Sequence, residues 1–238
     1  MKKIVGRALA VSAAMALVVP VAAAGPARAS TYRPVSERTL ENSSMGRADI
    51  PRWMRHGAAP QVERFYSKGR DAGGPLLCPG GKSPSDFISG KRAKELMNSR
   101  AILWEQPPNQ RGQLNSFIYQ YGSRADAQSA WADLIAKANT CPSFITDYAS
   151  SSGPDQVAVS TSVSSLPSLF GTAGLEVWTD VSFGWDTYAH FYLAGTSIVK
   201  VQHEVVRSGS NGMGRVARGF VQTMAIVVAQ RIERRSSR

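Results

Sequence analysis

Cysteine and histidine are scarce in this chain, two and three residues among 238. With no Cys-x-x-Cys pair and no His-Glu-x-x-His run, no spacing suits a zinc site, and no metal is expected. Acidic residues are few as well, 17 against 28 lysines and arginines. That shortage leaves a formal charge of +11, which favours anionic neighbours and excludes an acidic tail. No clean apolar run reaches the ~20 residues a membrane span needs. The N-terminal run is broken by Pro20, and "FVQTMAIVVAQRIERR" by Gln222, Thr223 and Gln230. Ser/His/Asp arrangements and carboxylate pairs in an apolar setting are missing too, so the residues offer no basis for an enzyme, and no cofactor is expected.

What is present begins with "MKKIVGRALAVSAAMALVVPVAAAGPARAS". A basic start (Lys2, Lys3, Arg7), an apolar stretch and a small-residue site make a secretory signal peptide over 1–29, cut after Ala29. The mature chain is therefore expected outside the cytoplasm, secreted and without a transmembrane segment. Cleavage removes four basic groups and no acidic one, lowering the charge from +11 to about +7. No nucleic-acid partner is expected.

The two cysteines are Cys78 in "PLLCPGG" and Cys141 in "KANTCPSF". Cys141 offers three roles: nucleophile, metal ligand or half of a covalent staple. A nucleophile needs a base beside it, and His56, His190 and His203 are not placed there by any local spacing. An oxidising compartment and an even cysteine count favour a Cys78–Cys141 disulfide. On the chain-entropy model a loop of this size stabilises by roughly 4 kcal/mol.

Composition divides the chain into the signal peptide, a polar leader over 30–44, a binding domain over 45–233 and a basic tail over 234–238. Near the leader, "ADIPRWM" supplies an apolar anchor in Ile50, Trp53 and Met54. "RDAGGPLLCPGGKSPSD" reads as a loop. "RAILWEQ" and "QLNSFIYQYG" form a hairpin about "PPNQRG". A helix follows, with Ser123 as N-cap and Ala127, Ala130, Trp131, Leu134, Ile135 and Ala138 on one face. Four more strand-like runs come next, "QVAVSTSV", "LEVWTDVSF", "WDTYAHFYLA" and "SIVKVQHEVV". A closing helix, about 214–233, carries Val216, Phe220, Met224, Val227 and Val228. Short turns make the strands antiparallel, so the expected fold class is α+β: one antiparallel sheet covered by two long helices, with one disulfide.

The last two strands carry the candidate site. Matching the apolar faces Ala189/Phe191/Leu193 and Val199/Val201/His203/Val205 sets Phe191 opposite Val199 and implies a three-residue loop at 194–196. The other face then collects Tyr188, His190, Tyr192, Lys200, Gln202 and Glu204, and Trp178 and Asp180 extend it from the preceding strand. Trp178, Asp180, Tyr188, His190, Tyr192 and Lys200 are the candidate ligand-binding residues, since small-ligand sites combine aromatic walls with a few polar groups. His203 reads as a core histidine. Two chemical-looking motifs fall away. "GMGRVA" lacks the second parallel strand a dinucleotide site needs, and "SIVK" lies on a strand, where residues three apart face opposite ways.

The order of pieces, from "DIPRWM" through a loop cysteine, an Ala-rich helix ending in Cys, "AGTSIVKVQHEVV" and "VARGFVQTMAIVVAQRI", resembles the PknH-like extracellular sensor domain of actinobacterial kinases and secreted relatives. The resemblance covers about residues 45–233. It implies an α/β sandwich-like domain with a central antiparallel sheet and a cleft, binding an extracellular ligand, and it matches Cys78 and Cys141 to a loop-to-helix disulfide. These 238 residues hold no second cysteine pair of that pattern, and neither a kinase domain nor a membrane anchor is expected. The expected function is a secreted, non-catalytic, sensor-like domain that binds a small molecule or an anionic envelope polymer. The alternative is an envelope-associated protein docking by charge alone, through segments such as "RIERRSSR".

Overall fold

The computed structural model describes residues 31–51, 62–68, 93–105, 110–140, 143–150, 153–181, 185–206 and 215–237. They form helix α1 (Glu37–Ser43), a 3₁₀ turn (Arg47–Asp49) and strands β1 (Val62–Lys68), β2 (Glu95–Glu105) and β3 (Gln110–Gln120). Then come helix α2 (Arg124–Thr140), strands β4 (Ser143–Ser150), β5 (Gly153–Leu169), β6 (Thr172–Val181), β7 (Trp185–Ala194) and β8 (Ser197–Val206), and helix α3 (Arg215–Ser236).

All pairings are antiparallel, in the order β1-β2-β3-β8-β7-β6-β5-β4. Two meanders, β1 to β3 and β4 to β8, are joined where β8 pairs with β3. After β3 the chain must travel from mid-sheet to the far edge, and α2 lies on this crossover. Pro167 interrupts β5 where the register shifts between Leu166 and Ser168. Without an N–H to offer the ladder, proline is tolerated at such a bulge.

Each face of the sheet is buried by a different helix. Ser123 caps α2 by accepting from the Asp126 amide at 3.1 Å, and Ala127, Ala130, Trp131, Leu134 and Ala138 pack on Tyr119, Phe191, Leu193 and Ile198. Ile135, expected on that face, is among the exposed large apolar residues. In α3 the buried stripe is Val221, Met224, Ala225, Val228, Ala229 and Ile232, packed on Ile118, Val199, Val201 and Tyr192. Burying one such large aliphatic side chain contributes about 1.5–3 kcal/mol, so Val228→Asp would break this layer.

Residues 31–51 complete the α3 side. Ser36 caps α1 through the Thr39 amide, and Leu40, Met45 and Ile50 are fully buried against α3 and β2/β3 residues. The Gln120 side chain ties the strap down, accepting from Val35 N at 2.7 Å and donating to Val35 O at 2.9 Å. Trp53 and Met54 lie outside the described residues.

The expected fold class, a sheet covered by two long helices and held by one disulfide, is corrected. Among the described residues strands dominate, eight rather than six, because β1 and β4 offer little pattern in the sequence. The helices number three among the described residues, because Leu40 draws α1 into the core. Cys78 and Cys141 both lie outside the described residues, so a disulfide is no part of the described fold.

The register of the last hairpin is corrected as well. Ala194 pairs with Ser197 around a two-residue turn, Gly195 and Thr196, which sets Phe191 opposite Lys200 and Tyr192 opposite Val199. Gly195 adopts φ +55°, a conformation that favours glycine and permits so tight a turn. The matching of apolar faces failed here because both faces of this hairpin are buried.

Candidate functional site

The one-residue change of register sends the candidate residues to different sides. Tyr188, His190 and Tyr192 share the α3 face with Val199, Val201 and His203, whereas Lys200 faces α2 with Phe191 and Ala189. Trp178 joins the α3 face, opposite Tyr188. Asp180 falls two positions along β6, in register with Asp186. Tyr188, His190 and Tyr192 are 0%, 1% and 1% exposed, so they form a floor beneath the helix and not an open sheet surface.

Two cross-strand rows build the floor. One runs Ser164, Glu176, His190 and Val201, and the next runs Ser162, Trp178, Tyr188 and His203. Glu176 holds His190 by its Nε2 at 2.8 Å and accepts from the Ser164 hydroxyl at 3.1 Å. Tyr188 lies 5.5 Å from the His203 ring and 6.4 Å from that of His190. From α3, Arg218 lays its guanidinium over Trp178 at 3.9 Å, with the Tyr188 ring at 5.9 Å. This is cation–π geometry at a partly buried site.

The electrostatics define which groups are offered. Burial lowers the His190 pKa, and the Arg218 charge adds to this, against an upward pull from Glu176. A neutral ring beside a carboxylate places its proton on Nε2, which donates to Glu176 and leaves Nδ1 as an acceptor. Among the described residues, His190 Nδ1 and Trp178 Nε1 are sealed from solvent with no hydrogen-bond partner. One accepts and the other donates, on adjacent strands. Burial raises the Tyr192 phenol pKa, with Gln222 opposing.

Glu176, Arg218 and Ser164 are functional candidates that the sequence reading missed. Glu176 was within reach, since it stands two residues before Trp178 in "LEVWTD" and so shares its face. Arg218 carries no such signal, because only the docking of α3 brings it to Trp178. The Ser164 hydroxyl bonds to Glu176 and not to His190, so these three do not form a nucleophile–base pair. No cluster of metal-ligating side chains occurs among the described residues.

No protein-family model and no curated relative matches the chain. Among solved structures, the crystal structure of the extracellular domain of PknH from Mycobacterium tuberculosis matches with a TM-score of 0.56 at 13% identity, covering 85% of this chain and 99% of that one. The fold is similar to that of the PknH extracellular domain. At this identity the likeness to PknH is one of fold, and it extends over nearly the whole of that domain. No helix among the described residues is long and apolar enough to cross a membrane.

Proposed function

We propose that this chain is a secreted, non-catalytic binding domain of the PknH-like sensor type, working at the cell envelope after cleavage behind Ala29. Its ligand sits against Trp178, Tyr188, His190 and Tyr192, at the end of α3 that carries Arg218. The observation that carries this reading is His190: at 1% exposure it keeps Nδ1 without a partner among the described residues, and Trp178 Nε1, one row away on the neighbouring strand, is likewise unpartnered among them. A buried polar atom left unsatisfied costs about 1–3 kcal/mol, a cost that a ligand offering one donor and one acceptor would remove. The fold likeness to an extracellular domain supports the placement outside the cell.

Native mass spectrometry of the protein recovered from culture supernatant tests this. A retained adduct is expected on the wild type and is lost on His190→Gln. A bare wild type, or an adduct that survives the substitution, counts against the site.

A second reading, docking by charge alone, is favoured by the net positive charge and by Arg234, exposed in the last turn of α3. Cell-wall binding that collapses between low salt and ~0.15 M, where the Debye length is about 8 Å, would support it over a ligand pocket.

A further inference from the structure

The α2 face of the same central strands holds a second polar field. Nearest the β7–β8 turn its residues are apolar, Tyr119, Ile198 and Leu193 in one row beneath α2. The next row sets Asn98, Phe117, Lys200 and Phe191 side by side, and the row beyond it Arg100, Asn115 and Gln202. A solvated sheet face would leave such groups open to water. Instead Lys200 is 8% and Asn115 4% exposed, and the Lys200 ammonium lies 5.1 Å from the Phe117 ring centroid and 5.8 Å from that of Phe191.

Two atoms show what this field still asks for. Arg100 Nε and Asn98 Oδ1 are sealed from solvent with no hydrogen-bond partner among the described residues. A buried guanidinium N–H left unanswered is costly, and an oxyanion removes that cost by accepting from it, while Lys200, one row away on β8, adds a second positive charge to the same face. An asparagine amide turns either end to a ligand, so Asn98 supplies a donor or an acceptor. The acidic residues in register on this face stand at its margins. Glu63 is exposed on edge strand β1 opposite Arg100, and Glu204 is paired with Gln113 one row beyond Gln202.

We propose that this face binds an oxyanion, a carboxylate or a phosphate, between Arg100 and Lys200, with Phe117 beneath it and the amides of Asn98 and Asn115 beside it. The site is separate from the Trp178–His190 floor, which lies on the opposite side of the sheet, and stands or falls independently of it.

Titration of the full chain with inorganic phosphate, glucuronate and glucose, followed by calorimetry and unfolding temperature, tests the proposal. At least one anion is expected to bind in the millimolar range or tighter, glucose is not, and the anion that binds identifies the head group. Arg100→Gln and Lys200→Met should each weaken that binding by about tenfold, equivalent to 1.4 kcal/mol. His190→Gln and Arg234→Ser should leave it unchanged. Lys200→Met keeps the apolar stem and removes a buried charge; should it nonetheless fail to fold, Arg100→Gln alone decides. Neither anion binding by about 10 mM, glucose binding as well as the anions, or Arg100→Gln binding like the wild type would overturn the proposal.

Discussion

Arg231 of α3 grips Asp49 through two hydrogen bonds, Nη2 to Oδ1 at 2.5 Å and Nη1 to Oδ2 at 2.9 Å, across 182 residues of chain. The Gly46 amide adds a third at 2.8 Å. Burial alone would raise the Asp49 pKa, but the Arg231 hydrogen bond, the Gly46 amide and the charges of Arg231 and Arg64 together lower it. A carboxylate depressed in the fold stabilises above its unfolded value, near 3.9, and that contribution fades as pH falls from there through the folded value. Arg231 is 33% exposed, so the pair counts for less than a fully buried one. Asp49→Asn should cost about 1–2 kcal/mol at pH 7, or about 3–6 °C in Tm, and less at pH 3. Urea midpoints at the two pH values check this; an equal loss at both would separate the effect from the ion pair.

His190 titrates in the opposite chemical sense with a similar pH trend. Burial holds its folded pKa below the ordinary value near 6.5, so on acidification the unfolded chain takes up the proton first. Stability should therefore fall as pH drops from about 6.5 toward the lower folded value. His190→Gln should flatten this part of the profile. Denaturant midpoints between about pH 7 and 5 measure it, and identical slopes in the two proteins would remove His190 as the cause.

Two glycines should respond with opposite signs. Gly195, at φ +55°, donates its N–H to Glu233 at 2.5 Å, and an added Cβ would collide with the Ser236 side chain. Gly195→Ala should cost about 2 kcal/mol or more. Gly219 lies within α3 with open space where a Cβ would stand. Gly219→Ala should stabilise by about 0.5–1 kcal/mol. Thermal unfolding of both variants is the check, and a destabilising Gly219→Ala would show that the space beside it is occupied.

The hairpin register is directly measurable. Backbone nuclear Overhauser contacts should join Phe191 to Lys200 and Tyr192 to Val199, as the two-residue turn requires. Contacts joining Phe191 to Val199 would restore the three-residue loop and return Lys200 to the face of His190.

Parts of this arrangement are legible in the residues themselves. The alternation in "WDTYAHFYLA" and "SIVKVQHEVV" marks β7 and β8, and Ser123 marks the start of α2. Period two alone groups Tyr188, His190 and Tyr192, which do share a face, and Trp178 joins them through the β6–β7 register. Lys200 was grouped with them through an assumed pairing, which a shift of one residue reverses. β1 carries a polar, mostly exposed surface and offers little apolar pattern to read.

Local periodicities and the Ser123 cap follow from the residues alone, because each is written in positions a few apart, and the charge follows from composition. Which helix covers which face, the closure of β8 on β3 and the entry of Leu40 and Met45 into the core come from the tertiary structure alone, whereas Ile50 already stands out as an apolar anchor in "ADIPRWM". Those outcomes depend on contacts between distant segments, such as Val35 with Gln120 and Asp49 with Arg231. With the hairpin buried on both faces, hydrophobic pattern cannot choose its register; the two-residue turn at Gly195 chooses it, and so sets His190 and Lys200 on opposite sides of the sheet.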